Sequence, residues 1–372
     1  MLHAYFTAAN RTSRDLLQSR TRPPTVAVLT TAGGTAAQRR QPLRLAPWAF
    51  FAGCCAMAVA TATAAEQARP ASATDYPTIQ AAINANPGAV ILVPPGRYEI
   101  DQPVLITTDG VELIGHGTIV QTNPEAHIIE IQGADQVRLE SLTLRRRGHA
   151  HRMTRDGVRC ADSTNVTIDR LRVYDNKSQG AAIRITRCEN ATVQDCQIVN
   201  YKCIGVDDRT RSELQGYAFH CIDGNGVAVN GSVGTVIRDS RIIEHDILPT
   251  QETRDAYQLG QLTEGSQPTR LGELGRRAVH NNHTPHWHQG SAIVVTGPAI
   301  TQHTQILGNY IENAAQGVDM HCDQAICSNN VVNRAKIGLK ATHGSSNLLM
   351  DGNLLRGIDL WGIVLNPGAG SD

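Results

Sequence analysis

The sequence predicts an all-β protein, a right-handed single-stranded parallel β-helix of roughly ten coils with a short N-terminal capping helix. Three observations predict it. A six-residue phrase recurs: IGHGTI (114–119), LESLTL (139–144), IDRLRV (168–173), VQDCQI (193–198), IRDSRI (237–242), ILGNYI (306–311), ICSNNV (326–331) and MDGNLL (350–355). Most steps are 20 to 29 residues and two are 44 and 69, the spacing of a solenoid whose units bury their apolar faces only against neighbours. Apolar residues alternate with period two among Val, Ile and Thr, and Gly and Asn punctuate the runs, which makes the units strands. Only 4% of the residues are aromatic against 41% hydrophobic, as suits a core of stacked aliphatic side chains.

The chain begins with residues 1–38, read as a disordered leader or a start upstream of the true initiation codon. RRQPLR (39–44) then precedes the apolar run LAPWAFFAGCCAMAVATATAA (45–65), so 39–65 has the basic, hydrophobic and small-residue order of a secretory signal. The expectation is an exported protein, secreted or periplasmic, with no membrane span once the signal is removed. The run is short and rich in Ala, Thr and Gly, which argues against a permanent anchor. Residues 66–372 form the β-helix domain. Residues 1–65 carry seven arginines and one acid, Asp15, which leaves 27 basic and 33 acidic residues of the 34 of each in the whole chain. A net acidic domain is not a nucleic-acid binder. Seven cysteines follow the signal (160, 188, 196, 203, 221, 322 and 327), and their scattered spacing defines no disulfide framework, so buried thiols are expected.

TIQAAINA (78–85) reads as the capping helix, with Ile79, Ala82 and Ile83 on one face, Asp75 as its cap and Pro77 in its first turn. AVILVPPGRYEI (89–100) follows as a strand and a Pro-Gly turn. A second phrase recurs between copies of the first: GVRCA (157–161), AIRIT (182–186), IGVDD (204–208), GVAVN (226–230), AIVVT (292–296), GVDMH (317–321), GLKAT (338–342) and GIVLN (362–366). IGVDD and GVAVN lie within one long step, which is therefore two coils or one coil with a loop. Asn309, Asn329 and Asn353 are expected to stack as a ladder that satisfies backbone groups at an inner corner. GIVLNPGAGSD closes the chain with no capping helix, so the last coil is expected to be a truncated end or an end-to-end oligomer contact.

TIQAAI, ILVPPGRYEI (91–100) and LIGHGTI (113–119) together resemble the start of the pectate-lyase-like (pectin-lyase fold) β-helix superfamily, with the likeness running over roughly residues 75–370. The resemblance implies the fold and a carbohydrate-related role shared out among polysaccharide lyases, polygalacturonase-type hydrolases, uronan epimerases, tailspikes and adhesins. It does not choose an activity. The Arg-Pro stretch of pectate lyases, the DPH motif of mannuronan epimerases and the NTD and RIK motifs of polygalacturonases are absent, and the glycines of GHG (115–117) read as structural.

Alternation in the second phrase turns Val158, Cys160, Ile183, Ile185, Ile363 and Leu365 among others inward. It turns Arg159, Arg184, Asp207, Asn230, Thr296, Asp319, His321, Lys340, Thr342 and Asn366 outward. Lys340 is one of only four lysines, one strand from Asp319 with His321 beside both. These residues read as a surface ion pair or as a proton-transfer group in which Lys340 or His321 removes the proton beside a uronate carboxyl group. Arg159 and Arg184 would then neutralise that carboxylate. RRRGHAHRMTR (145–155) and the long insertion 243–290, ending in HNNHTPHWHQG, both lead into second-phrase strands and would wall this face. In that wall His286, Trp287 and His288 would contact sugar. His280, His283, His286 and His288 match no zinc template and are secondary candidates for a transition metal. Asp207 and Asp208, with Asp319 and Asp323, are weak calcium candidates. No cofactor is required by the sequence.

The function expected first is a secreted lyase that cleaves an acidic polysaccharide by β-elimination, with Lys340, His321, Asp319 and Asp207 catalytic. The alternatives are a glycoside hydrolase using Asp207, Asp208 and Asp319, and a non-catalytic glycan-binding or adhesive β-helix.

Overall fold

A computed structural model describes residues 70–147, 155–207, 219–222, 224–249 and 290–366. The leader and signal, Asp208, most of the 243–290 insertion with His280, His283, His286, Trp287 and His288, and the last six residues lie outside them. Among the described residues no helix is long and apolar enough to cross a membrane.

The chain winds as a right-handed parallel solenoid with three strand-bearing faces per coil. The first phrase opens the first face, a ten-stranded parallel sheet running from Ala71–Ser72 through Thr167–Asp169 to Leu349–Asp351. The rest of that phrase forms the second face, and the second phrase forms the third. The last two faces join into one 15-stranded sheet, because Tyr310–Met320 and the long strands after it run through the corner between them. The third face stacks slightly fewer coils than the roughly ten expected.

One register holds the coils together. Leu113, Leu139, Ile168, Val193, Ile237, Ile306, Cys327 and Met350 are direct partners up the first face. All but Met350 are buried. The phrase therefore starts at 113 and 327, one residue away from the starts read at 114 and 326. Ile114 and Ile326 point away from the core column, and Ile326 is exposed. A one-residue shift flips a strand side chain to the other side, so the apolar neighbour in each pair is what disguises the frame.

The same shift moves the corner ladder. Ser240 N–H donates to Asn309 Oδ1, Asn309 N–H to Asn330 Oδ1 and Asn330 N–H to Asn353 Oδ1, at 3.1, 3.0 and 3.0 Å. Each Asn also donates from its Nδ2 to a carbonyl of the coil before it, at Ile237, Ile306 and Cys327. The middle rung is Asn330, fully buried, and not Asn329. Asn329 is exposed and takes a left-handed φ of 57°. It belongs to a separate column of left-handed turn residues with Arg170, Asp195 and Asp239. Asn tolerates that conformation at little cost.

Both long steps are single coils with excursions. Thr192–Gln194 pairs directly with Val236–Arg238, which pairs directly with Gln305–Leu307. IGVDD is consequently not a coil. Ile204–Asp207 leaves the solenoid to pair antiparallel with Phe219–Ile222 and parallel with Ile247–Pro249 in a separate three-stranded sheet. The two excursions thus share a sheet. Their roots meet at buried Glu244, which accepts from the amides of Lys202 and Asp246 at 3.1 and 3.2 Å. Burial pushes the Glu244 carboxyl up to about 7.

The N-terminal end is covered by a helix at Ile79–Ala85, with Ile79, Ala82 and Ile83 buried as expected. Its cap is Thr78, whose hydroxyl accepts from Ala81 N–H at 3.0 Å. Asp75 instead ends a preceding 3-10 turn, Ala73–Asp75. Gln80 reaches from the helix to the edge strand Val104–Ile106, donating to Leu105 C=O at 3.0 Å and accepting from its N–H at 2.7 Å. A side-chain amide thus occupies the edge that a further strand would otherwise take. The GHG glycines are structural: a Cβ on Gly115 would lie 2.1 Å from Val93 O, and one on Gly117 2.5 Å from Val93 Cγ1. At the other end of the described residues Ile363 and Leu365 keep their place in the inward columns, stacked on Leu339 and Ala341. They are nevertheless 53% and 71% exposed.

Asn330→Ala is expected to cost about 2 kcal/mol or more, because it orphans the Asn309 N–H and the Ile306 C=O of the coil before it. Asn329→Gly is expected to change stability by only a few tenths of a kcal/mol, its φ being one glycine favours. Urea midpoints of the two variants check the assignment.

Candidate functional site

The outward column of the third face is defined by strand register. It runs Leu105, Glu130, Arg159, Arg184, Ala228, Val294, Asp319, Lys340 and Val364. Glycine lets the chain turn tightly into this face: a Cβ on Gly317 or Gly338 would lie 2.5 or 2.4 Å from the carbonyl oxygen of the next coil. The polar residues fall into two groups, with Ala228 and Val294 between them. Arg184 is three strands from Asp319, roughly 14 Å at the usual strand spacing. The single cluster expected of Arg159, Arg184, Asp319, His321 and Lys340 is therefore two clusters on one face.

The first cluster centres on Asp319, which is buried. Its Oδ2 is 3.0 Å from Lys340 Nζ, and Oδ1 is 2.8 Å from His321 Nε2. The second contact lies off the hydrogen-bond line, since neither atom has an aligned partner. It is an electrostatic contact. Side-chain exposures of 18% for Lys340 and 19% for His321 leave both reachable from the face. His343 packs edge-on against His321, with ring centroids 4.8 Å apart. Thr296 lies on the neighbouring strand, Ser291–Thr296, where His321 N–H donates to Val295 C=O.

The second cluster contains residues that the sequence reading passed over. Arg184 Nε reaches both oxygens of Asp156 at 2.9 and 3.0 Å, and Arg159 is 3.5 Å from Glu130. Asp156 is buried and held at every polar group it has. Its carboxylate also accepts from Ala181 N–H, its C=O accepts from Arg146 Nη2 at 2.7 Å, and its N–H donates to His127 Nδ1 at 3.0 Å. Arg146 is no part of a basic wall. It is buried, donates further to Asn176 Oδ1 and Ala126 C=O, and desolvation lowers its pKa to about 10. Of its neighbours, Arg145 pairs with Asp175 and Arg147 with Glu99. Residues 148–154 lie outside the described residues. Asp156 sits just past an arginine-rich loop and outside any alternating run, so periodicity offered no signal for it. A lone acid following a basic segment was the only hint.

Asp207 is not on the column at all, because its strand belongs to the excursion sheet. A calcium site shared by Asp207 and Asp319 loses its basis. Asp323 serves a corner, accepting from Ser346 and Asn347 side chains at 2.7 Å each, and these bonds lower its pKa. Among the described residues no three His, Cys, Asp or Glu side chains gather as a metal set.

The family described as rhamnogalacturonase A/epimerase, pectate lyase-like, matches residues 68–353, more than half of the chain. The chain belongs to this family. No curated protein matches it in sequence. Among solved structures, this pectate-lyase-like protein is similar to a PL6 alginate lyase in complex with a trisaccharide, at 11% identity and a TM-score of 0.47 over 77% of this chain and 54% of that one. It thus spans about half the length of that lyase. It is also similar to the DFA-IIIase of Arthrobacter chlorophenolicus A6 in complex with DFA-III, at 10% identity and a TM-score of 0.43 over 77% and 76% of the two chains. A third is PfbA, a surface adhesin of Streptococcus pneumoniae, at 10% identity and a TM-score of 0.34 over 81% and 94%.

His127 gives this pectate-lyase-like protein a pH dependence. Burial lowers its pKa from the ordinary 6.5, and its Nδ1 must stay unprotonated to accept from Asp156. The unfolded chain therefore takes this proton first, and stability falls as the pH drops below about 6.5. The stability advantage of wild type over His127→Gln is expected to shrink over that window, measured as urea midpoints from pH 7.5 downward.

Proposed function

We propose that this protein is an exported enzyme that cleaves an acidic, uronate-containing polysaccharide by β-elimination along the outward column of the third face. The observation that carries the proposal is the Asp319–Lys340–His321 group. It is a buried carboxylate with a cation and an imidazole held against it on an open face. His321, with the Asp319 carboxylate against its ring, takes the proton beside the uronate carboxyl group. The electron pair forms the carbon–carbon double bond, and the glycosidic oxygen departs and is protonated. Lys340 is the cation beside the reacting carboxylate, stabilising the charge that develops on it. Arg184 and Arg159 lie too far along the column for that role. Their place is to hold carboxylates of sugars further along the same chain, with Ala228 and Val294 as a low floor between. The roots of the excursions border this face, returning to the solenoid at Asn225–Asn230 and Ser291–Thr296.

The hydrolase reading is weaker. With Asp207 removed from the column, the next acid along it from Asp319 is Glu130, five strands away or roughly 24 Å. An acid and base pair works across roughly 5 to 9.5 Å.

The test is turnover of a panel of uronate polymers, followed by the ultraviolet absorbance of the unsaturated product. The wild-type chain should produce it. His321→Ala and Lys340→Ala should each lose ~10²-fold or more in kcat, whereas Arg184→Gln should chiefly raise KM. New reducing ends without the absorbing product would move the chemistry to hydrolysis. Binding without new ends would leave a glycan-binding protein.

A further inference from the structure

Cys160 lies on the strand Val158–Ala161 and Cys188 in the turn that follows Ala181–Thr186, one coil further on. Both side chains point into the core and are buried, and their sulfurs are 3.4 Å apart. Two features set them apart from a chance meeting of apolar thiols. The turn carrying Cys188 is fixed, because its N–H donates to Ser232 Oγ at 3.0 Å on the next coil. Its sulfur also sits 3.4 Å from Thr186 C=O, so it is aimed at one place. In the folded chain the Cys160 thiol's hydrogen bond holds Cys188 below the ordinary thiol range and raises its own pKa.

We propose that Cys160 and Cys188 are a disulfide site that staples two consecutive coils when the chain folds in an oxidising compartment. A disulfide sulfur–sulfur distance is about 2.05 Å, so the two atoms, 3.4 Å apart, must close by roughly 1.4 Å. The oxidant is a small-molecule or thiol-oxidase disulfide. The Cys188 thiolate attacks one of its sulfurs and expels a thiolate, giving a mixed disulfide. The Cys160 thiolate then attacks Cys188 Sγ and expels the second thiolate. The two protons lost by the protein end on the two released thiols, and the oxidant gains the two electrons. Both sulfurs are enclosed in the finished solenoid, so the exchange takes place while the coils are still stacking, and the finished bond is shielded from reductant.

The experiment is to refold the full chain in oxidised and reduced glutathione, block the remaining thiols after denaturation, and map the peptides by mass under non-reducing conditions. A peptide joining Cys160 to Cys188 is expected. The thermal midpoint should rise by roughly 5 to 10 °C over the reduced protein, and native protein should keep the bond in dithiothreitol far longer than unfolded protein does. In the double variant Cys160→Ala, Cys188→Ala the midpoint should no longer respond to oxidation, while Cys196→Ala should leave the response intact. Recovery of Cys160 and Cys188 in blocked form from the oxidised wild type, or of either joined to another cysteine, would overturn the proposal. That mapping needs no variant to fold.

Discussion

Every coil of this protein depends on its neighbours for its hydrogen bonds and for the other half of its core. A parallel coil has no hairpin partner of its own, so its backbone amides and its inward Val, Ile and Leu are satisfied only in the register of the coils above and below. That register runs unbroken up the first face from Leu113 to Met350. It also fixes which second-phrase side chains point outward, and so it decides what the outward column contains. Large insertions are tolerated because they leave at a corner and return to the same register, as Val236–Arg238 and Gln305–Leu307 do after long excursions.

The architecture was legible because repetition and alternation are global signals that survive local error. Eight copies of a phrase announce a solenoid even when two of them are framed one residue out. Local frame was less legible. Where two apolar residues adjoin, as at Leu113-Ile114 and Ile326-Cys327, period two cannot choose between them, and only stacking on the next coil decides. Asn329 and Asn330 show the same ambiguity with polar residues: one bends the turn and the other fills the ladder. Asp207 misled for a related reason. IGVDD has the composition of a second-phrase strand, but its partners lie in the excursion sheet, and partners far along the chain leave no mark on a local pattern.

For the candidate site, the grouping of Asp319, His321 and Lys340 was legible, because all three follow from alternation plus one adjacent strand. Sequence reasoning placed Arg159 and Arg184 too close to them, since phrase similarity does not reveal that Ala228 and Val294 intervene. It missed the support beneath Arg184 altogether. Asp156, Arg146 and His127 converge from a loop end, a strand end and a turn, and hydrogen bonds rather than periodicity bring them together. The consequence is a face with a rigidly held cationic end, a low apolar middle and an end carrying Asp319, Lys340 and His321, where we propose the proton transfer. That order suits a substrate lying along the solenoid axis.

The most direct test of this account is a crystal structure of the chain with a uronate oligosaccharide, using the slow Lys340→Ala variant to retain it. The account predicts sugar density along the third face, with a uronate beside His321, rings over Ala228 and Val294, and a carboxylate at Arg184. An oligosaccharide seated against another face, or against the excursion sheet and away from Asp319, would contradict it.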